Sequence, residues 1–122
     1  MLYINKYDIR DRLLQVADED VSEANDYVSE LAKGMGVDES KIPAVIPAKV
    51  KRLAVVYACY LCCINSVGTD STTTFDGGNR TDIFEEKRIA YKNELDRILA
   101  GLTAGDFLGV RLSGNNINIW RA

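Results

Sequence analysis

The chain has no histidine. That removes the commonest general base and the commonest zinc ligand, and it rules out every nucleophile triad built on imidazole. It has two prolines, both inside Ile42-Pro-Ala-Val-Ile-Pro47, and one tryptophan, Trp120. It has no apolar run long enough to span a bilayer: the longest, Leu53 to Ile64, stops at Asn65. It has little net charge, −3, and the sign is wrong for a dedicated nucleic-acid binder. It has only three cysteines, Cys59, Cys62 and Cys63, all within one apolar stretch. An odd count, with no basic-then-apolar leader in Met1 to Lys6, leads us to expect reduced thiols in a cytoplasm.

What is present is ordinary for a globular domain: 47% hydrophobic and 27% charged residues in 122. One domain is the expectation, with a core that needs no staples. Asn5 to about Val16 reads as a short helix, capped by Asn5 with Asp8 in the first turn. Tyr7, Leu13 and Leu14 would face inward. A second helix runs from about Asp20 to Lys33, with Asp20 as cap and Glu23 completing a capping box. Val21, Ala24, Val28, Leu31 and Met35 recur at spacings of three and four, which predicts one buried stripe. Gly34 and Gly36 supply its stop.

A connector over 37–46 leads to Pro47, suited to the first position of a third helix. Val50, Leu53, Tyr57, Tyr60, Leu61 and Ile64 form one stripe of that helix. Val55, Val56, Ala58 and the three cysteines make the rest apolar too. A helix apolar nearly all round is covered on several sides, so 47–66 is expected to be the spine. Residues 68–80 are polar and glycine-bearing. Thr72–Phe75 and Arg80–Phe84 suit a hairpin across Asp76-Gly-Gly-Asn79, and an irregular loop suits them equally. A fourth helix runs from near Asp82 to Ala100 or Leu102, with Phe84, Tyr91, Leu95, Ile98, Leu99 and Leu102 inward. From Val110 the period changes. Val110, Leu112, Ile117 and Ile119 alternate with polar residues, the pattern of a strand or extended arm. The fold class is therefore mainly α: a small four-helix bundle over 1–109 and a C-terminal arm over 110–122.

The search for chemistry returns little. Cys59-Tyr-Leu-Cys62-Cys63 lacks the second ligand pair that zinc wants, and small buried apolar residues account for it. Gly101-Leu-Thr-Ala-Gly105 and Asp76-Gly-Gly-Asn79 match no phosphate loop and read as a helix stop and a turn. Asp18, Glu19, Asp20, Glu23, Asp26 and Glu30 make the second helix acidic. That is a solvated face, or a surface that repels DNA or meets a basic partner. The acid spacing fits no EF-hand. Lys49, Lys51 and Arg52 fall at the electrostatically poor end of the third helix, either simply exposed or serving a partner. Trp120-Arg121 is either docked on the core or an interface anchor, since both residue types are favoured hot spots. We expect no enzyme, no cofactor and no metal site. The candidate partner-binding residues are Trp120, Arg121, Ile117, Ile119, Phe75 and Arg80.

One likeness covers most of the chain, from about Asn5 to Gly109. It is carried by the short helix after Tyr3-Ile4-Asn5 and by Ile42-Pro-Ala-Val-Ile-Pro47 leading into Ala54-Val-Val-Tyr-Ala-Cys-Tyr-Leu61. It continues through Glu86-Lys-Arg-Ile-Ala-Tyr-Lys92 and Leu95-Asp-Arg-Ile-Leu-Ala-Gly-Leu-Thr-Ala-Gly105 with Phe107-Leu108. These segments resemble the small helical head–tail connector (adaptor, head-completion) proteins of tailed bacteriophages and prophages. The resemblance implies a ring of copies beneath the portal protein, joined to the next neck or tail-completion protein, with DNA passing through unbound. It implies a virion location after synthesis in the bacterial cytoplasm, with no membrane. The 68–80 loop and the 110–122 arm would then be assembly surfaces, and the acidic helix would border the channel. The competing reading is a small acidic helical regulator or inhibitor that binds one protein through its arm. An enzyme using acid-bound metal is a third class, and it finds no paired carboxylate spacing here.

Overall fold

The computed structural model describes residues 1–66, 74–76, 79–81 and 83–109. It is mainly helical. The helices are α1 (Asp18–Gly34), α2 (Ala48–Ser66), α3 (Ile83–Ala100) and the short α4 (Ala104–Leu108). Two antiparallel strands, β1 (Thr74–Asp76) and β2 (Asn79–Thr81), lie between α2 and α3. Their Cα partners are Thr74 with Thr81, Phe75 with Arg80, and Asp76 with Asn79. The four-residue turn expected at Asp76–Asn79 is thus shorter, and Phe84 belongs to α3, not to the second strand.

α2 is the spine. It packs against α1 and α3 and touches α4. Val50, Leu53, Ala54, Val55, Val56, Ala58, Cys59, Cys62 and Cys63 are all buried, so its apolar character all round is matched by cover on several sides. The far end of the expected stripe is different: Ile64 is 44% exposed. The carbonyl of Pro47 accepts from Lys51 N–H at 3.0 Å, so Pro47 caps the helix and does not occupy its first turn.

α1 begins earlier than expected. Ala17 is its N-cap, and Asp20 stands at the third helical position, where its carboxylate accepts from Ala17 N–H at 3.3 Å. Three successive acids fill the first turn, where the helix dipole favours them. The end is a Schellman motif. Gly36 takes φ +76°, Val37 N–H reaches Ala32 C=O at 2.8 Å, and Gly36 N–H reaches Lys33 C=O at 3.0 Å. Val37 and Ala32 are both buried, which supplies the apolar contact of that motif. Gly34 is simply the last helical residue, and Met35, expected inside, is 37% exposed.

The first expected helix is the main correction. The Asn5–Asp8 capping box does form, with Tyr7 N–H to Asn5 Oδ1 and Asn5 N–H to Asp8 Oδ2 both at 2.8 Å. It nucleates only one 3-10 turn, Lys6–Asp8, and Ile9 is extended again. Tyr7 is 91% exposed and Leu13 57%, against expectation, while Leu14 is buried. A capping signal without a sustained apolar stripe does not propagate one turn into a helix. Burial instead selects Tyr3, Ile4, Leu14 and Val16, and outside the 3-10 turn residues 1–16 form a non-helical strap over the helices.

α3 is peripheral: Leu95 is its one buried residue among those described. Phe84, Tyr91, Ile98 and Leu99 are partly buried against the core, as the pattern predicts, and Leu102 is buried beyond the helix end. α4 has no counterpart in the sequence reading. Thr103 caps it with Asp106 in a reciprocal box, at 3.3 Å and 2.8 Å, and Phe107 is fully buried. Gly105, read as part of a helix stop, lies inside this turn and is buried. Gly109 ends it at φ +72°.

Candidate interaction surface

The strap is fixed by one side chain. Asn25 of α1 is 3% exposed. Its Oδ1 accepts from Tyr3 N–H at 2.7 Å and from Ile4 N–H at 3.0 Å, and its Nδ2 donates to Ile4 C=O at 3.2 Å. A carboxamide offers a donor and an acceptor in one plane, so it pairs with extended backbone as a neighbouring strand would. Tyr3 OH then donates to Glu39 Oε2 at 2.5 Å, and Ser29 Oγ donates to the same oxygen at 2.7 Å. Burial, followed by that carboxylate, pushes the Tyr3 phenol well above its ordinary range. The Tyr3 and Ser29 hydroxyls hold Glu39 below the usual carboxylate range.

Further along, Asp11 ties the strap to α3. It accepts from Lys87 Nζ at 2.7 Å, from Tyr91 OH at 2.6 Å and from Leu13 N–H at 3.0 Å. Burial pushes its pKa up, but these three donors outweigh it, and the net direction is down. The same burial, reinforced by Asp11, drives Tyr91 upward. Under this region lie the cysteines, all free thiols. Burial raises Cys59 to about 11 and Cys63 to about 12, so both stay protonated and unreactive near neutrality.

The basic cluster of α2 is exposed but paired within the molecule. Lys49 donates to Gly101 C=O at 2.8 Å and pairs with Asp106 at 3.2 Å. Lys51 pairs with Asp8 at 3.1 Å. Arg52 grips Glu94 with two bonds, at 2.7 and 2.8 Å. All three join α2 to another part of the body. The acidic residues divide. Asp20 is 7% exposed and also accepts from Asn65 Nδ2 at 3.2 Å, so it belongs to the frame. Glu19, Glu23, Asp26 and Glu30 are exposed and share one stripe, at spacings of four, three and four. Beside that stripe, Tyr27 and Tyr57 stack at 3.9 Å.

What the strap leaves uncovered is apolar. Leu2 is 75% exposed, Val45 86% and Met1 47%. They rim two shallow grooves. One, of about 270 Å³, runs between residues 2–5 and Ala44, Val45, Ile46 and Lys51. The other, of about 380 Å³, has Met1, Leu2, Ile4 and Val21 as its apolar wall, with Asp26 and the Lys6–Asp18 pair, 3.8 Å apart, on its rim. Leu2, Ile4 and Asn5 line both, so the same stretch of strap borders the two. The sequence reading did not choose this surface. Its signal was the pair of short apolar runs, Leu2-Tyr-Ile4 and Pro43-Ala-Val-Ile-Pro47, neither of helical length.

Of the residues chosen from the sequence, Phe75 and Arg80 are directly paired across the β1–β2 ladder. Ile117, Ile119, Trp120 and Arg121 lie outside the described residues. Among the described residues, no group of cysteines and acids is placed to hold a metal ion, and no helix is long and apolar enough to cross a membrane. No family model, no curated protein and no solved structure matches this chain.

Proposed function

We propose that this chain is a structural assembly protein and not an enzyme. In this reading it is an adaptor of a tailed phage or prophage particle. A ring of copies joins the portal protein to the neck or tail-completion protein, with DNA passing through it unbound. The observation that carries the reading is the way the body ends. α4 is capped at Thr103, anchored by the fully buried Phe107 and tied to α2 through Lys49 and Asp106. Gly109 then releases the chain beside Pro43 and Pro47. From that firm exit follow thirteen residues with a strand pattern and the sole tryptophan. A fastened body and a segment with hot-spot chemistry suit docking on a neighbour. The likeness of Ile42–Pro47, Ala54–Leu61 and Leu95–Gly105 to connector proteins supplies the kind of neighbour.

The exposed stripe of Glu19, Glu23, Asp26 and Glu30 fits a wall that DNA slides past without sticking. The strap, held by Asn25 and Asp11, gives a body stiff enough to transmit a fixed geometry around a ring.

The test is incorporation into particles. Deletion of residues 110–122, or Trp120→Ala, is expected to abolish it while the body still folds. Unchanged incorporation would refute the arm. Charge reversal at Glu23, Asp26 and Glu30 is expected to impair DNA retention or ejection. An unaffected particle removes the channel role.

A further inference from the structure

The stripe of α2 that begins at Val50 and Leu53 is covered only over its first half. Those two residues are fully buried, at the end of the helix near α4. Further on, Tyr57, Tyr60 and Leu61 are half-buried and Ile64 is 44% exposed. α1 and α3 both pack on α2 and scarcely meet each other, so the face between them stays open. Tyr27 of α1 widens it by stacking on Tyr57 at 3.9 Å. On the α3 edge the charges are neutralised within the molecule: Arg88 pairs with Glu85 and Lys92 with Asp96, each at 2.7 Å. On the α1 edge, Glu23 stands one turn from Tyr27. Burial, followed by the charge of Glu23, raises the Tyr57 phenol, which puts that carboxylate beside the ring. Glu23 is exposed and, among the described residues, makes no hydrogen bond or ion pair.

The other side of α2 is crossed by the strap. Tyr57 and Cys59, like Leu61 and Cys63, stand two residues apart, about 200° round the helix. Asp11 of the strap acts electrostatically on all three cysteines, so the strap lies over their face. Its Lys6, Asp8 and Asp11 are already paired, with Asp18, Lys51 and Lys87. What remains outward is Arg10, Arg12 and Leu13, the last 57% exposed. Arg12 has no partner among the described residues, and Arg10 adds only a weak attraction for Asp8. The two sides of the spine thus carry unpaired charge of opposite sign, each beside exposed apolar surface.

We propose that copies of this chain associate head to tail: Arg10, Arg12 and Leu13 of one strap cover the Tyr27, Tyr57, Tyr60 and Ile64 face of the next copy, with Arg12 against Glu23. A guanidinium both stacks on tyrosine rings and grips a carboxylate, and Leu13 brings apolar surface to Leu61 and Ile64. Pairing two tyrosine faces, or two straps, would bring like charges together. Nearly opposite sides give each copy one donor and one acceptor surface, so association runs on to a wide ring or an open filament. The contact deepens the ring of the assembly reading and rests on it for closure. Glu23 is the member of the acidic stripe nearest Tyr27, so Asp26 stays outside the contact.

Sedimentation velocity of the full chain tests it. The wild type is expected to form a concentration-dependent series of oligomers that salt weakens. Glu23→Lys and Leu13→Lys are each expected to weaken self-association by at least about ten-fold. Each of these variants keeps one side intact, so an equal mixture is expected to give a one-to-one dimer that grows no further. The double variant Arg12→Glu/Glu23→Lys, with the charges exchanged, is expected to recover the series. The substituted residues are exposed, so helical circular dichroism is unchanged. A wild type that stays monomeric to its solubility limit overturns the proposal. So does a single variant that associates like the wild type, or a mixture that behaves as the sum of its parts. Portal loading separates the two claims. Loading of many copies that both single variants leave intact overturns this contact and spares the adaptor. Head-to-tail association without portal binding supports the contact and refutes the adaptor.

Discussion

Asn25→Ala is the sharpest test of how this fold is held. The carboxamide makes three hydrogen bonds to the strap, at 2.7, 3.0 and 3.2 Å. Tyr3 is 2% exposed and Ile4 3%, so water has little access to the groups it would leave behind. At about 1 kcal/mol net for each bond, the loss is about 3 kcal/mol. That is a large share of the roughly 5–15 kcal/mol typical of a domain. For a chain of this length each kcal/mol lowers Tm by roughly 3–5 °C, which gives a fall of about 10–15 °C. Urea and thermal unfolding followed by circular dichroism measure it. Hydrogen exchange locates it, because the Tyr3 and Ile4 amides should be protected in the wild type and lose protection in the variant. A cost below about 0.5 kcal/mol, or amides that already exchange freely in the wild type, would refute the claim that Asn25 clamps the strap.

Three further outcomes follow from the same contacts. Phe107→Ala empties a fully buried site and is expected to cost about 3–5 kcal/mol in urea unfolding, with α4 detached. The buried thiols are expected to react with a disulfide reagent only as fast as the protein opens; rapid labelling of the native chain would contradict their burial. Asp11 has a folded pKa below its unfolded value, so its stabilisation is complete above about pH 4 and is lost as pH falls through the folded pKa. Asp11→Asn is accordingly expected to flatten the acid limb of a stability-against-pH curve, and an unchanged limb would remove Asp11 from the account.

Long periodic segments were legible in the sequence. α2 reads as the spine because it is apolar nearly all round beyond its first turns, and burial on several sides bears that out. α1 is legible from Val21, Ala24 and Val28 and from its glycine stop. Short segments were not. The Asn5–Asp8 box is real, yet tertiary burial of Tyr3, Ile4, Leu14 and Val16 overrides it after one turn. Asp20, read as the N-cap with Glu23 three residues on, stands instead at the third helical position, where it accepts from Ala17 N–H and from Asn65; the local pattern placed the box one turn late. The surface pairing of Lys49, Lys51 and Arg52 depends on Asp106, Asp8 and Glu94, distant in the chain, so a pattern of charges alone does not disclose it. The groove at Leu2 and Val45 is composed of two short apolar runs that the fold brings together and neither run announces.

Native mass spectrometry of the full chain with the portal protein encoded by the same genome tests the assembly reading most directly. The account predicts binding of multiple copies to the portal ring, lost on deletion of residues 110–122. A genome without a portal gene, no binding to the portal, or a one-to-one complex with a single other protein would contradict it.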